Sequence, residues 1–171
     1  MRNIEIKARL HERRRVEREL ERLGARDEGI ETQHDVFFHC HSGRLKLRDS
    51  SRSGATLIHY ERPDSPTVRP SAYELAAQPE GASLLRVLEG ALGKSGEVRK
   101  RRHLYLLDNI RVHLDEVEGL GHFLELEAVV DAVHPADDCE RAVESLLERF
   151  GITKEDLIAT AYVDLDRRPD P

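Results

Sequence analysis

Polar and apolar positions alternate along several parts of the chain. In Asn3–Arg9 (Asn-Ile-Glu-Ile-Lys-Ala-Arg) every odd position is polar and every even position is small or apolar. A period of two is typical of β-strands that bury one face. The pattern returns in Arg44–Arg48, Arg99–Leu106, Ile110–Asp115 and Phe123–Glu127. We therefore predict a strand at the start of the chain and further strands over Arg44–Arg48, Arg99–Leu107, Ile110–Val117 and Phe123–Val130.

Other segments add strands and helices to this outline. β-Branched and aromatic residues or turn signals predict strands over His34–Cys40, Thr56–Glu61 and Ser71–Ala76. Apolar residues at helical spacing predict helices over Glu12–Leu23, Leu84–Leu92 and Asp137–Phe150. Asp108-Asn109 suits a two-residue hairpin turn, and Thr153 with Asp156 resembles a helix cap. The fold class predicted is α+β, an antiparallel eight-stranded barrel or tunnel flanked by about three main helices.

The polar faces of these strands carry charges of both signs. One set is basic (Lys7, Arg9, Lys46, Arg48, Lys100, Arg102, Arg111) and the other is acidic (Glu5, Asp115, Glu125, Glu127). The apolar faces are expected to meet the helices, so the charged faces point into the barrel. Burying ions costs on the order of several kcal/mol each unless they find partners. A ligand-binding lumen explains that cost better than the alternative, an exposed sheet with ordinary salt bridges.

Composition limits the class of protein. The 171 residues are 39% hydrophobic and 35% charged, which fits one soluble domain over residues 1–166 with a frayed tail at 167–171. The net charge of −6 argues against a nucleic-acid partner. No apolar run approaches the ~20 residues of a membrane helix, and the start is unlike a signal peptide, so we expect a cytoplasmic protein that does not bind membranes. Cys40 and Cys139 have no metal-ligand spacing and are expected to be free thiols.

Six short motifs occur in an order that resembles the CYTH family of class IV adenylyl cyclases and thiamine triphosphatases. Asn-Ile-Glu-Ile-Lys at the start is similar to the family's Glu-x-Glu-x-Lys signature. The most specific stretch is Arg111–Val117 followed by Gly119–Glu127. The other four are Leu45–Arg48, Leu57–Arg62, Val98–Arg102 and Ala161–Asp164, the last resembling a terminal Ser-Tyr-x-Asp.

The resemblance implies an eight-stranded tunnel that binds a triphosphate compound with Mg²⁺ or Mn²⁺. It assigns Glu5, Asp115, Glu125 and Glu127 to the metal. It assigns the phosphates to Lys7, Arg9, Lys46, Arg48, Arg62, Arg69, Lys100, Arg102 and Arg111. Lys7 and Lys100 are the candidates for proton handling, because a crowded lysine loses its proton more easily than an arginine. His113 is expected to be a hydrogen-bonded residue of the lumen.

Five residues depart from the family pattern, among them Ala161, which takes the place of the serine in the terminal motif. Asn3 replaces the first glutamate of the signature, and Glu61 stands where many relatives carry a lysine. Phe37 and Phe38 lie where triphosphatase relatives often have a tyrosine. These departures leave the substrate open.

Three functions therefore stay in view. The first is a metal-dependent hydrolase of an inorganic or small organic triphosphate. The second is an adenylate cyclase that makes cyclic AMP and pyrophosphate from ATP. The third is a non-catalytic module that binds polyphosphate or another phosphorylated ligand. In each case the expected partner is a small molecule, and the chain is expected to be a monomer or a homodimer.

Overall fold

The computed structural model of the protein describes residues 2–61, 67 and 69–165, and within them eight strands and four helices. The strands are β1 (Arg2–Arg9), β2 (Arg26–Phe38), β3 (Arg44–Ser50), β4 (Gly54–Glu61), β5 (Arg69–Gln78), β6 (Lys94–Leu107), β7 (Ile110–Val117) and β8 (Gly121–Val129). The helices are α1 (Arg13–Arg22), α2 (Gly81–Leu92), α3 (Ala136–Phe150) and α4 (Tyr162–Leu165).

The strands form a closed antiparallel barrel in the order β1-β5-β4-β3-β2-β6-β7-β8. Closure follows because β1 pairs with β5 on one side and with β8 on the other. The predicted α+β barrel is therefore confirmed. The pairing of β2 with β6 links distant parts of the chain, and local sequence pattern does not predict it.

The apolar faces of β1, β7 and β8 point outward and are covered by α1 and α3. Val112, Leu114, Leu124 and Leu126 are almost fully buried there with ten or more other apolar side chains of the same cluster, which includes Val16 and Leu20 of α1 and Val143 and Phe150 of α3. Each such side chain contributes about 1.5–3 kcal/mol on burial. Because successive strand residues point to opposite faces, this packing turns the ionic side chains of the same strands inward.

The C-terminal segment covers one end of the barrel. Ile158 N–H donates to the Lys7 carbonyl at 2.9 Å, and Ala161, Tyr162 and Val163 are buried against strand ends at Phe37, Val98, Val117 and Phe123. Gly96 permits this approach, since a Cβ at that position would overlap Val163 Cγ2. Before α4, the Asp156 carboxylate accepts hydrogen bonds from the N–H and the hydroxyl of Thr153, both at 2.8 Å, which confirms the predicted cap.

Some predicted elements differ from the observed ones. β2 begins at Arg26 rather than His34 and ends at Phe38 rather than Cys40, because its ladder to β6 orders a stretch that has no apolar alternation. β5 likewise runs from Arg69 to Gln78, beyond the predicted Ser71–Ala76. The helix predicted over Leu84–Leu92 is present in α2. Its residues Leu84, Leu85 and Leu88 are only partly buried against Val36, Phe38 and Leu47, and Leu92 is exposed. The hairpin at Asp108 is confirmed, with φ +52 there.

Two further observations concern the described residues as a whole. Both cysteines are free thiols, Cys40 exposed and Cys139 buried. None of the described helices combines the length and the apolar character that crossing a membrane requires. The predicted tail at 167–171 lies outside the described residues.

Candidate functional site

The inward faces of the strands line a cavity of about 360 Å³. Its basic side chains are Lys7, Lys46, Arg48, Lys100, Arg102 and Arg111, and its carboxylates are Glu5, Glu31, Asp35, Glu125 and Glu127. Nine of these eleven residues were predicted from the alternating strands. The interior is therefore ionic along β1, β2, β3, β6, β7 and β8.

The remaining predicted residues do not line this cavity in the same way. Arg9 is exposed, and its guanidinium lies 5.5 Å from the centre of the Phe123 ring. Asp115 lies in the wall behind the lining residues and is completely buried. Arg62 and the side chain of Arg69 lie outside the described residues, although the backbone of Arg69 pairs with Glu5.

Asp115 is held by three side chains that donate four hydrogen bonds. Arg102 Nε donates to Oδ1 at 2.7 Å, and Nη2 donates to Oδ2 at 2.6 Å. Lys100 Nζ and the Tyr162 hydroxyl donate to Oδ2, both at 3.1 Å. Burial alone would raise the pKa of Asp115, but Arg102 and Lys100 hold it below its usual range. Asp115 is thus an ionised anchor that fixes the direction of Arg102 and Lys100.

A second anchor, Asp35, was not singled out from the sequence. Arg48 donates to both of its oxygens at 2.7 Å, and Lys46 donates to Oδ2 at 2.7 Å. Burial opposes ionisation of Asp35, yet Arg48 and Lys46 hold its pKa well below the ordinary value. The sequence could have indicated Asp35, because it lies two positions from Phe37 in β2 and therefore on the same, inward face. It was missed because the residues of β2 do not alternate between charged and apolar as those of β1, β7 and β8 do.

Glu125 joins the basic and acidic parts of the cavity. It forms ion pairs with Lys7, at 3.1 Å, and with Arg102. Lys7 Nζ also lies 3.7 Å from the centre of the Tyr162 ring, and Lys100 Nζ lies 5.1 Å from the same centre. Burial raises the pKa of Tyr162 and nearby Asp115 raises it further, so the phenol stays protonated as a donor.

Next to Glu125 lies a group of possible metal ligands. One ligand atom each from His113, Glu125 and Glu127 lies within 4.8 Å of the other two. Despite the cost of burial, Lys7 lowers the pKa of Glu125 and His113 lowers that of Glu127, so both carboxylates are ionised at neutral pH. His113 Nδ1 is buried and has no hydrogen-bond partner among the residues that the structure describes. The hydrogen-bonded role expected for His113 is therefore not seen at this atom, and the donor set fits a divalent cation.

Comparison with known proteins gives the family. The CYTH domain model matches residues 1–162. The chain belongs to the CYTH family. A Methanocaldococcus jannaschii protein named "Putative adenylate cyclase" is 26% identical over 169 residues, covering 95% of this chain and 97% of that protein.

Solved structures resemble nearly the whole chain. The PH1012 protein of Pyrococcus horikoshii is 29% identical, covers 95% of this chain and 98% of its own, and has a TM-score of 0.78. A protein from Hippeastrum is 19% identical with a TM-score of 0.59, over 95% of this chain and 93% of its own. It is described as a "putative adenylyl cyclase" with "a dominant" triphosphatase activity.

Two lysines of this CYTH domain have unusual environments. Burial lowers the pKa of Lys46 to about 7, and neighbouring Arg48 adds to the shift while Asp35 opposes it. Burial and Arg102 lower the pKa of Lys100 as well, against the opposing charge of Asp115. Either amine can lose its proton far more readily than an exposed lysine.

The wall formed by β4 and β5 differs from the rest of the CYTH barrel. Its described residues that line the cavity are uncharged, namely Thr56, Ile58, Tyr60, Tyr73 and Leu75. The interior therefore has an ionic part and an opposing neutral, partly aromatic part. Such a surface favours contact with an uncharged or aromatic group more than with phosphate.

Proposed function

We propose that this CYTH protein is a divalent-metal-dependent phosphohydrolase acting on a small triphosphate. The observation that carries the proposal is one juxtaposition. Arg48, Lys46, Lys100 and Arg102 face the same cavity as the His113–Glu125–Glu127 group. A polyphosphate chain needs several cationic donors together with a cation that shares its oxygens, and both occur here.

The two arginines are already oriented for an anion. Arg48 and Arg102 each use Nε and Nη2 to hold a buried aspartate. An arginine has five N–H donors in a fixed plane. Among the described residues neither Nη1 has a hydrogen-bond partner, so both remain able to donate to phosphate oxygens while Asp35 and Asp115 keep the guanidinium planes in place.

Glu125 and Glu127, with Glu5 opposite Glu127 in the β1–β8 ladder, would hold the metal. When bound, the cation neutralises charge on the phosphate oxygens. Asp115 is less suited to this role, because it is completely buried and does not line the cavity as Glu125 and Glu127 do. Both of its oxygens also accept hydrogen bonds from buried donors. We assign it to positioning Arg102 and Lys100 instead.

In hydrolysis a water attacks the terminal phosphorus, and the bond from that phosphorus to the bridging oxygen breaks. The diphosphate part of the substrate is the leaving group, and the attacked phosphoryl group becomes orthophosphate. Positioning and charge stabilisation do most of this work. The attacking water must lose a proton, and a neutral amine in the cavity can accept it. All three lysines pair with a carboxylate, Lys7 with Glu125, Lys46 with Asp35 and Lys100 with Asp115. The lowered pKa values of Lys100 and Lys46 support these two as acceptors, whereas Lys7 is supported for this role by sequence alone.

Adenylate cyclase is the second candidate. The neutral β4–β5 wall favours it, since Tyr60, Tyr73 and Ile58 offer a surface for a nucleoside beside the phosphate site. In that reaction the ribose 3′-hydroxyl attacks the α-phosphorus and pyrophosphate leaves. The Methanocaldococcus relative bears a cyclase name, while the Hippeastrum neighbour is described by its triphosphatase activity. We place hydrolysis first, because the ionic lumen accounts for phosphate binding and the neutral wall accommodates the organic part of a hydrolysed substrate equally well.

One assay separates these functions. Purified protein is incubated with tripolyphosphate, ATP or thiamine triphosphate and Mg²⁺ or Mn²⁺, while orthophosphate, pyrophosphate and cyclic AMP are followed. Metal-dependent orthophosphate release supports hydrolysis, and cyclic AMP with pyrophosphate supports cyclisation. Tight binding without turnover overturns both and leaves a binding module.

A matched pair of variants ties the activity to the lumen. Arg48→Gln removes an inward cation, whereas Arg52→Gln removes an exposed arginine that bonds Glu28 on the outer surface. A charged hydrogen bond contributes about 1.5–3 kcal/mol, or roughly 10–100-fold in turnover. We expect that loss in the first variant and none in the second.

A further inference from the structure

His113 projects from β7 into the ionic cavity with 4% of its surface exposed. Its Nδ1 lies 3.7 Å from Glu125 Oε2 and 3.9 Å from Glu127 Oε1, both too long for hydrogen bonds. Among the described residues no other atom satisfies this nitrogen. A buried polar atom without a partner costs about 1–3 kcal/mol. The two carboxylate oxygens and this nitrogen thus face one another with no hydrogen bond among the three, while Glu125 Oε2 accepts a hydrogen bond from Arg102 Nη2.

The spacing suits a small cation. Two neighbouring donors of an octahedral ion with bonds of about 2.1 Å lie about 3 Å apart. The distances from Nδ1 to the two carboxylates exceed that by less than 1 Å, a difference that small side-chain rotations remove. Apart from His113, the one described basic side chain that pairs with Glu127 is Arg111, whose Nη1 lies 3.6 Å from Glu127 Oε2. Its Oε1 is therefore free to turn toward a cation next to His113.

The identity of the donors decides which cation is favoured. Mg²⁺ binds almost wholly to oxygen, whereas imidazole nitrogen suits first-row transition ions. We propose that His113 Nδ1 is a third metal ligand and makes the site select Mn²⁺ over Mg²⁺. This inference rests on the proposed metal site of Glu125 and Glu127, and adds to it a ligand and a selectivity.

Binding of the metal alone tests the proposal without any substrate. Untagged protein is titrated with MnCl₂ and with MgCl₂ by calorimetry, and the Mn²⁺ complex is studied by pulsed electron paramagnetic resonance. We expect Mn²⁺ to bind more tightly than Mg²⁺, with a nitrogen coupling typical of imidazole in the wild-type spectrum. That spectrum needs no variant, so it holds even if substitutions unfold the protein.

Variants test which histidine is responsible. His113→Asn replaces the nitrogen ligand by an amide oxygen, so Mn²⁺ affinity should fall about 10–100-fold while Mg²⁺ affinity changes less than about 3-fold. The nitrogen coupling should vanish. His122→Asn, at an exposed position on β8, is the control and should change neither. Circular dichroism and urea unfolding establish that each variant is folded.

Two results would overturn the proposal. The first is stoichiometric Mn²⁺ binding without nitrogen coupling and with an unchanged Mn²⁺ to Mg²⁺ ratio in His113→Asn. That result would leave the carboxylate site, and the proposed hydrolysis, intact. The second is the absence of saturable Mn²⁺ binding. The proposed hydrolase function is then tested separately, by whether the protein releases orthophosphate from tripolyphosphate in a metal-dependent way.

Discussion

Arg102 and Asp115 form a two-pronged ion pair inside the barrel, with Nε to Oδ1 at 2.7 Å and Nη2 to Oδ2 at 2.6 Å. The two residues face each other directly in the β6–β7 ladder. Asp115 is fully buried, and Lys100 and Tyr162 donate to it as well. One carboxylate therefore fixes three inward-facing side chains from two separate parts of the chain.

Replacing this carboxylate should destabilise the protein strongly. Asp115→Asn removes the negative charge that the buried Lys100 and Arg102 share, although Arg102 keeps its ion pair with Glu125. Breaking a buried ion pair in this way costs about 3–5 kcal/mol. Urea unfolding measures the loss. Glu116→Gln, one residue along the same strand, breaks only an exposed pair with Arg101 and should cost less than about 1 kcal/mol. Equal losses of unfolding free energy in the two variants would mean that the buried ion pairs of Asp115 stabilise the protein no more than the exposed pair of Glu116 does.

The Arg102–Asp115 ion pair also predicts how the stability of the protein changes at acidic pH. The pKa of Asp115 is lowered on folding, so its contribution to stability is complete above the unfolded value of about 4 and is lost as the pH falls below it. Between pH 6 and pH 3 the wild type should lose more stability than Asp115→Asn does. Parallel pH profiles in chemical denaturation would contradict this.

The lowered pKa of Lys46 predicts that the free energy of unfolding depends on pH above neutrality. Its pKa in the folded state is about 7, against about 10.5 in the unfolded chain. Between those values the unfolded state binds more protons, so stability should rise with pH in that window. Lys46→Met removes the titrating group and fills the space near Phe37 and Tyr60. The free energy of unfolding, measured from pH 7 to pH 9.5, should rise more for the wild type than for the variant, and the idea fails if the two curves run parallel.

Glu125→Gln should separate activity from folding. Glutamine keeps the shape and an acceptor oxygen for Lys7 and Arg102, but it lacks the charge that a divalent cation needs. Metal-dependent turnover should fall about 100-fold or more, because a catalytic metal supplies several kcal/mol. The loss in unfolding free energy should be smaller than in Asp115→Asn, since Glu125 is partly exposed. Unchanged turnover in a folded variant would remove this glutamate from the metal site.

The close approach of Val163 to Gly96 predicts that even a methyl group at position 96 destabilises the protein. Gly96→Ala places a methyl group on Val163 Cγ2 and should push the segment that carries Tyr162 away from Lys7. Overpacking of this kind costs about 1–3 kcal/mol. Adding Val163→Ala makes room and should recover part of the loss in thermal unfolding. No recovery would show that the strain lies in the strand itself.

The sequence predicts those strands in which charged and apolar residues alternate, and the reason is physical. In β1, β7 and β8 the outward residues pack on helices while the inward ones are charged, so polarity reports the side each residue faces. This pattern placed Lys7, Glu125 and Glu127 in the lumen. Arg9 carries the same signal but lies beyond the cavity, because alternation gives a side chain its face and not its depth along the barrel.

Other features depend on contacts between distant residues. Asp35 became an anchor only through the pairing of β2 with β3, which places it opposite Arg48. Tyr162 reaches Asp115 across 47 positions because the C-terminal segment folds over the barrel end. The unpartnered nitrogen of His113 is a property of three-dimensional packing, and no spacing in the sequence reveals it.

The proposed function requires a triphosphate and a divalent cation to bind side by side within the barrel. A crystal structure with Mn²⁺ and tripolyphosphate, with data collected at the manganese absorption edge, is the sharpest test. We expect an anomalous peak between Glu125 and Glu127, with phosphate density against Arg48, Lys100 and Arg102. Manganese or phosphate bound only on the outer surface of the barrel, with the lumen ion pairs unchanged, would contradict it.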